Sequence, residues 1–382
     1  MAICYLDNNA TTRVAPQVLE AMSPWFLEHF GNASSLHSEG QLAALAVAQA
    51  RARVGRLIGA RSSEQVIFTS GGTESDNAAI RAAVERFPTR RRVVTTAVEH
   101  EAVLAPLAAL ERSGYEVVRL APDREGRFPL DRFEAVVDER CCLMALMWAN
   151  NETGAVHDVA AAAALCAARG VPLHVDAVQA AGKLPLDVGA LPIDTLALSA
   201  HKLHGPKGVG ALYVRDSRGF APLLLGGGQE LERRAGTENV PGIVGFGRAA
   251  ELAQQWLEAE GPAGLASLRD RLESEILARV PGSRVHASQS RRTCNTSSLG
   301  FEGVSGEALV MLLSEYGICA SAGSACASSR HAPSHVLLAM GFEPRDASAS
   351  LRLSLSRDTT AEDVSRAISA VVEAVTALRA LA

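Results

Sequence analysis

Between about Val66 and Val214 the chain alternates short apolar or β-branched runs with segments of helical length. The runs are Val66 to Thr69, Val93 to Thr96, Glu116 to Leu120, Leu143 to Trp148, Leu173 to Val175, Thr195 to Leu198 and Gly210 to Val214. Runs so short and so apolar read as strands covered on both faces, while stretches such as Ala102 to Arg112 and Val159 to Arg169 read as helices. The alternation predicts an α/β fold with a mostly parallel sheet between helical layers, and ligands at the carboxyl ends of the strands.

After Gly242 the rhythm changes. A helical segment runs to about Glu258, and Glu260-Gly261-Pro262 breaks it before another helix begins near Gly264, which places a domain boundary there. Thr296 to Phe301 and Leu351 to Leu355 then read as strands, with a helix capped near Ser305 and a polar loop of small residues from Ala320 to Arg330. Thr359-x-x-Glu362 has the spacing of a capping box at the head of a last helix.

The 382 residues, 48 % hydrophobic and 21 % charged, are enough for two or three cores. Lys+Arg 37 against Asp+Glu 42 gives a net charge of -5, which argues against nucleic acid as a main partner, since phosphate neutralisation needs a basic face. The most apolar stretch, Val159 to Ala168, is far below the ~18 residues of a spanning helix, so no membrane role is expected. No basic n-region precedes an apolar stretch at the N-terminus, and the expectation is a cytoplasmic protein. Seven cysteines form no Cys-x-x-Cys pair, and Cys and His lack ligand spacing, so neither a disulfide framework nor a metal site is expected.

Polar residues gather at the ends of five of these strands: Ser70-Gly71-Gly72-Thr73, Glu99-His100, Asn150-Asn151-Glu152, Asp176 with Gln179, and Ser199-Ala200-His201-Lys202. Each alone is ordinary turn chemistry; together they suggest a site. The glycine pair sits between a strand and a helix, where backbone amides can approach a phosphate beside the positive helix end. It has neither Walker nor dinucleotide spacing, which leaves a small phosphorylated cofactor. A carboxylate such as Asp176 can keep a pyridinium nitrogen protonated, and Lys202 can supply the amine that pyridoxal phosphate requires.

Several motifs carry a closer likeness across essentially the whole chain. They are Tyr5-Leu6-Asp7-Asn8-Asn9-Ala10-Thr11-Thr12, Thr69 to Ser75, Glu99-His100, Asn150 to Gly154, His174 to Gln179, Ser199 to Lys202, Arg233 to Asn239, Ser321 to Cys326 and Leu351 to Ser354. With these the sequence resembles the cysteine desulfurases of the iron-sulfur-cluster and nitrogen-fixation type, within the class V, fold type I pyridoxal-phosphate enzymes. The resemblance implies a large domain over 14–258 with a seven-stranded type of sheet. A smaller α+β domain from 1–13 and 259–382 would carry a catalytic cysteine loop.

It further implies pyridoxal 5'-phosphate as cofactor, held by Lys202, with Asp176 at its ring nitrogen, Gln179 at its phenolic oxygen and His100 stacked on the ring. Gly72, Thr73, Ser199 and His201 would bind its phosphate, and Thr237 would reach the phosphate of a neighbouring subunit in a homodimer. Asn151, beside the cofactor, and Arg352 would hold the carboxylate of L-cysteine. Lys202, His100 and Cys326 are the implied catalytic residues. Lys202 would move the Cα proton, and Cys326 would take the sulfur as a persulfide and pass it to a sulfur-acceptor or scaffold protein, in iron-sulfur cluster assembly or elsewhere. Two other readings stay open: a class V aminotransferase or lyase in which Cys326 is incidental, and a non-enzymatic sulfur-relay module.

Overall fold

The computed structural model describes residues 3–323 and 333–381. A short strand β1 (Cys4–Tyr5) precedes seven that form one sheet: β2 (Val66–Thr69), β3 (Arg92–Thr96), β4 (Glu116–Leu120), β5 (Cys141–Met147), β6 (Leu173–Asp176), β7 (Thr195–Ser199) and β8 (Gly210–Val214). Their spatial order is β2-β8-β7-β6-β5-β3-β4. β3 runs parallel to β4 and β5, β5 to β6, and β6 to β7, whereas β8 is antiparallel to both β7 and β2. β2 therefore points the same way as β7. The carboxyl ends of β2, β3, β5, β6 and β7 open on one edge of the sheet.

Burial follows the sequence. Every residue of β5, β6 and β8 is buried, as a sheet covered on both faces requires. The edge strand β4 shows charges instead, with Arg92 bound to Glu116 at 2.9 Å and Arg119 to Glu111 at 2.6 Å, which blunts it against pairing with other chains. β5 begins at Cys141, two residues before the apolar run read from sequence, and both Cys141 and Cys142 are buried in it.

Helices Ser38–Leu57 and Val240–Glu258 pack closely because of a glycine. A Cβ built on Gly247 would stand 2.6 Å from Ala50 Cα, well inside van der Waals contact. The helix after Glu260 begins at Gly261 rather than near Gly264, because Pro262 sits in the first turn, where its missing N–H costs no hydrogen bond. The last helix, Ala361–Ala380, is capped one residue later than the sequence suggests. Thr360 Oγ1 accepts from Asp363 N at 3.1 Å and Asp363 Oδ2 accepts from Thr360 N at 3.0 Å, while the Thr359 hydroxyl accepts from Ser356 N.

Three more strands, β9 (Ser283–Val285), β10 (Thr296–Phe301) and, after the short β11 (Ile318–Cys319), β12 (Ser350–Ser354), form an antiparallel sheet in the order β12-β10-β9. Its apolar face meets the helices Gly261–Arg279 and Ala361–Ala380 in a core that includes Leu272, Leu299, Phe301, Leu353, Ile368 and Val371. A separate core around Phe68, Leu146, Val175, Leu198 and Phe246 serves the large sheet. Cys4 and Leu6, from the start of the chain, belong to the former. Among the described residues no helix is long and apolar enough to cross a membrane.

Candidate active site

The turn after β2 has the form a phosphate group requires. Helix Gly72–Arg86 starts directly behind Ser70 and Gly71, and its N-cap, Gly71, offers no side-chain cap to the first-turn amides. A Cβ on Gly71 would point into open space, while one on Gly210 would strike the Gly71 main chain at 2.6 Å, so Gly210 leaves room for the turn. The turn forms one wall of a cavity of about 440 Å³ whose lining includes Thr73, Ser199, His201 and Lys207. Amides at a helix start, two hydroxyls and a lysine ammonium form a donor set suited to an anion. His201 is neutral near pH 7: burial, then the charges of Lys202 and Lys207, push it down to about 4. The set fits the phosphate of the expected cofactor, and Gly72, Thr73, Ser199 and His201 all share this one cavity.

The first residues of the chain connect this cavity to the smaller sheet. Ala10 and Thr11 line the cavity, and the Thr11 hydroxyl lies 3.1 Å from His201 Nδ1. Lys202, in a short turn after β7, donates to the main-chain oxygens of Asn9 at 2.5 Å and Ala10 at 2.8 Å. Gln179 Nε2 donates to the same Asn9 oxygen at 3.0 Å. The Asn9 side chain donates to the main-chain oxygen of Asn151 and to Thr296 Oγ1, and accepts from Asn295 Nδ2. Arg352, on β12 and only 2 % exposed, donates from Nη1 to the Asn151 oxygen at 3.1 Å and from Nη2 to Asp7 Oδ1 at 2.7 Å. Thus Lys202, Gln179, Asn151 and Arg352 are all tied to residues 7–10.

Asp176 ends β6 beside two other buried carboxyl groups. Burial, followed by the charge of Asp176, raises Asp76 well above the usual carboxylate range; its Oδ1 lies 3.0 Å from His174 Nε2. Glu99, fully buried, is pushed up to about 8, chiefly by burial and further by Asp176 and Asp76. Its Oε1 accepts from Thr96 Oγ1 and Met147 N, while Oε2 has no partner among the described residues. His100, the residue after Glu99, caps the next helix, its Nδ1 accepting from Ala102 N at 3.1 Å.

Two expected residues stand apart. Thr237 is exposed and does not line the cavity of its own chain, although its neighbour Arg234 binds Glu74, a cavity residue, at 2.9 Å. Cys326 lies outside the described residues. The six described cysteines are free: five are buried, and Cys319 is half-buried on β11.

Several contributors carried no role in the sequence reading: Asp7, Asn9, Lys183 and Lys207. Lys183 donates to Gln179 Oε1 at 2.7 Å, which turns the Gln179 amide so that its NH2 faces Asn9. Burial, with the charges of Lys202 and Arg352, lowers Lys183 to about 7 even though Cys294 works in the other direction. The run Asp7-Asn8-Asn9, polar residues directly after the apolar Leu6, was the available signal for the first two.

Comparison with known proteins finds relatives that cover nearly the whole chain. The family model described as Aminotransferase class-V matches residues 4–367. A cysteine desulfurase of Cereibacter sphaeroides is 50 % identical over 379 residues, covering 99 % of this chain and 97 % of the relative. The cysteine desulfurase NifS of Azotobacter vinelandii is 46 % identical, covering 99 % and 94 %. A solved NifS-like protein superposes with a TM-score of 0.91 at 38 % identity, covering 98 % of this chain and all of that one.

Proposed function

The chain belongs to the aminotransferase class-V family, and from that membership we propose that it is a cysteine desulfurase, converting L-cysteine to L-alanine and retaining the sulfur on Cys326. The observation that carries the reading is the junction at residues 7–10, which ties the amine of Lys202 to the guanidinium of Arg352 across both sheets. Residues 14–258 form the cofactor lobe, and 1–13 with 259–382 the lobe that carries the cysteine.

Pyridoxal 5'-phosphate, when bound, supplies an electron-poor ring that takes up charge as bonds at the substrate's Cα and Cβ break. Lys202 would hold it, with its phosphate on Gly72, Thr73, Ser199 and His201, its ring nitrogen at Asp176, its phenolic oxygen at Gln179 and its face under His100. Arg352 and Asn151 hold the substrate carboxylate, a task suited to a fork with two parallel N–H donors. Lys202 Nζ is the base that accepts the substrate's Cα proton. The Cys326 thiolate attacks the substrate sulfur, the Cβ–S electron pair stays with carbon, and protonation at Cβ together with return of the proton to Cα completes alanine. An ordinary thiol, with a pKa near ~8.5, is mostly protonated at neutral pH, so Cys326 needs help to ionise.

The persulfide passes to a sulfur-acceptor or scaffold protein. The active unit is a homodimer in which Thr237 serves the partner's phosphate site; the exposed Phe26, Leu27, Phe30 and Leu36 supply apolar surface for such an interface. Free thiols at all six described cysteines suit a reducing, cytoplasmic setting.

The test is to incubate purified protein with L-cysteine and measure alanine alongside a persulfide mapped by mass spectrometry. Wild type should yield both at Cys326. Cys326→Ala should keep the cofactor absorbance yet release no sulfide, and sustained turnover by that variant would refute the assignment.

A further inference from the structure

The guanidinium of Arg352 is already engaged by a carboxylate of its own chain. Asp7 Oδ1 accepts from Nη2 at 2.7 Å, Nη1 is fixed on the Asn151 oxygen at 3.1 Å, and Nε is buried without a partner among the described residues. Arg352 is 2 % exposed, and the Asp7 side chain 20 % exposed. Held at two nitrogens, the guanidinium has little freedom to swing away from Asp7. Any carboxylate that pairs with it, through Nε or by sharing Nη2, therefore comes within roughly 5 to 7 Å of the Asp7 carboxylate, the span of one guanidinium group.

That geometry treats two classes of ligand differently. A bare monocarboxylate brings only negative charge, and Asp7 repels it. An α-amino acid brings the same carboxylate together with an ammonium group, and the attraction of Asp7 for the cation offsets its repulsion of the anion. We propose that Asp7 is a specificity-determining residue that makes the carboxylate site select zwitterionic amino acids over plain carboxylates. The proposal rests on the reading of Arg352 as the carboxylate anchor.

Propionate and L-alanine share a skeleton and differ in the amino group, so the ratio of their dissociation constants isolates the effect. Both are titrated against the holoenzyme by ligand-detected NMR, which needs no turnover. Asp7→Asn keeps an acceptor for Nη2 and removes the charge. It should tighten propionate by roughly three- to tenfold, the scale of one partly exposed charge pair, while L-alanine changes less than about twofold. Asp7→Glu, which restores the charge, should return the wild-type ratio.

An unchanged ratio in Asp7→Asn, or weaker propionate binding, would overturn the proposal. Should Asp7→Asn melt early, Asp7→Ser is read by the same criteria. Arg352→Gln separates the two ideas. Loss of both ligands in that variant upholds the anchor, so that an unchanged ratio in Asp7→Asn then counts against Asp7 alone; retained binding of both removes the anchor and the proposal together.

Discussion

Glu99 makes folding stability depend on pH in a direction opposite to that of most carboxylates. Its acid is pushed up to about 8 from an ordinary 4.5 by burial, with Asp176 and Asp76 adding to the effect. Between those two values the folded chain holds a proton that the unfolded chain has released, so the folded state binds more protons and stability falls as pH rises; above about 8 the loss levels off. At about 1.4 kcal/mol per pH unit the full loss is on the order of 5 kcal/mol, of which roughly 3 falls between pH 5.5 and 8.5. Glu99→Gln mimics the protonated acid: its Oε1 still accepts from Thr96 and Met147, and no charge develops. Urea unfolding at pH 5.5, 7.0 and 8.5 should show the variant gaining on wild type as pH rises, by roughly 3 kcal/mol over that range. A gap between the two proteins that stays constant across pH would refute the reasoning.

Two further substitutions test the packing and the phosphate cradle. Gly247→Ala drives a methyl against the Ala50 backbone and should cost roughly 1–3 kcal/mol by urea unfolding, with a smaller loss showing that the two helices can separate. In Gly72→Ala the new Cβ meets Val178 Cγ2 at 2.8 Å beside the first turn of its helix; cofactor affinity, followed by fluorescence titration of the apoprotein, should fall by about tenfold, equivalent to ~1.4 kcal/mol, whereas unaltered affinity would remove Gly72 from the cradle.

The large sheet was legible because its strands are almost wholly apolar and its helices long, so periodicity and length pointed the same way. The five polar strand ends were legible for a related reason, since a parallel sheet collects them on one edge. Helix starts were less so. Pro262 both breaks a helix and opens one, and Thr359 and Thr360 offer equivalent hydroxyls that only the reach of Asp363 distinguishes. Residues whose role comes from their folded partners were the hardest to read. Lys183 shows no sign of a role until the turn folds it onto Gln179, and Asp7 acquires its partner from 345 residues away.

That separation has a consequence for biosynthesis. Asn9 is translated 345 residues ahead of Ser354, yet its amide nitrogen donates to the hydroxyl of that residue, and its side chain meets Asn295 and Thr296. Until β12 is translated this segment can reach Lys202 and Gln179 but lacks its partner at Ser354. A chain stalled or truncated before Ser354 therefore carries an unassembled catalytic centre, even where its large sheet has already formed.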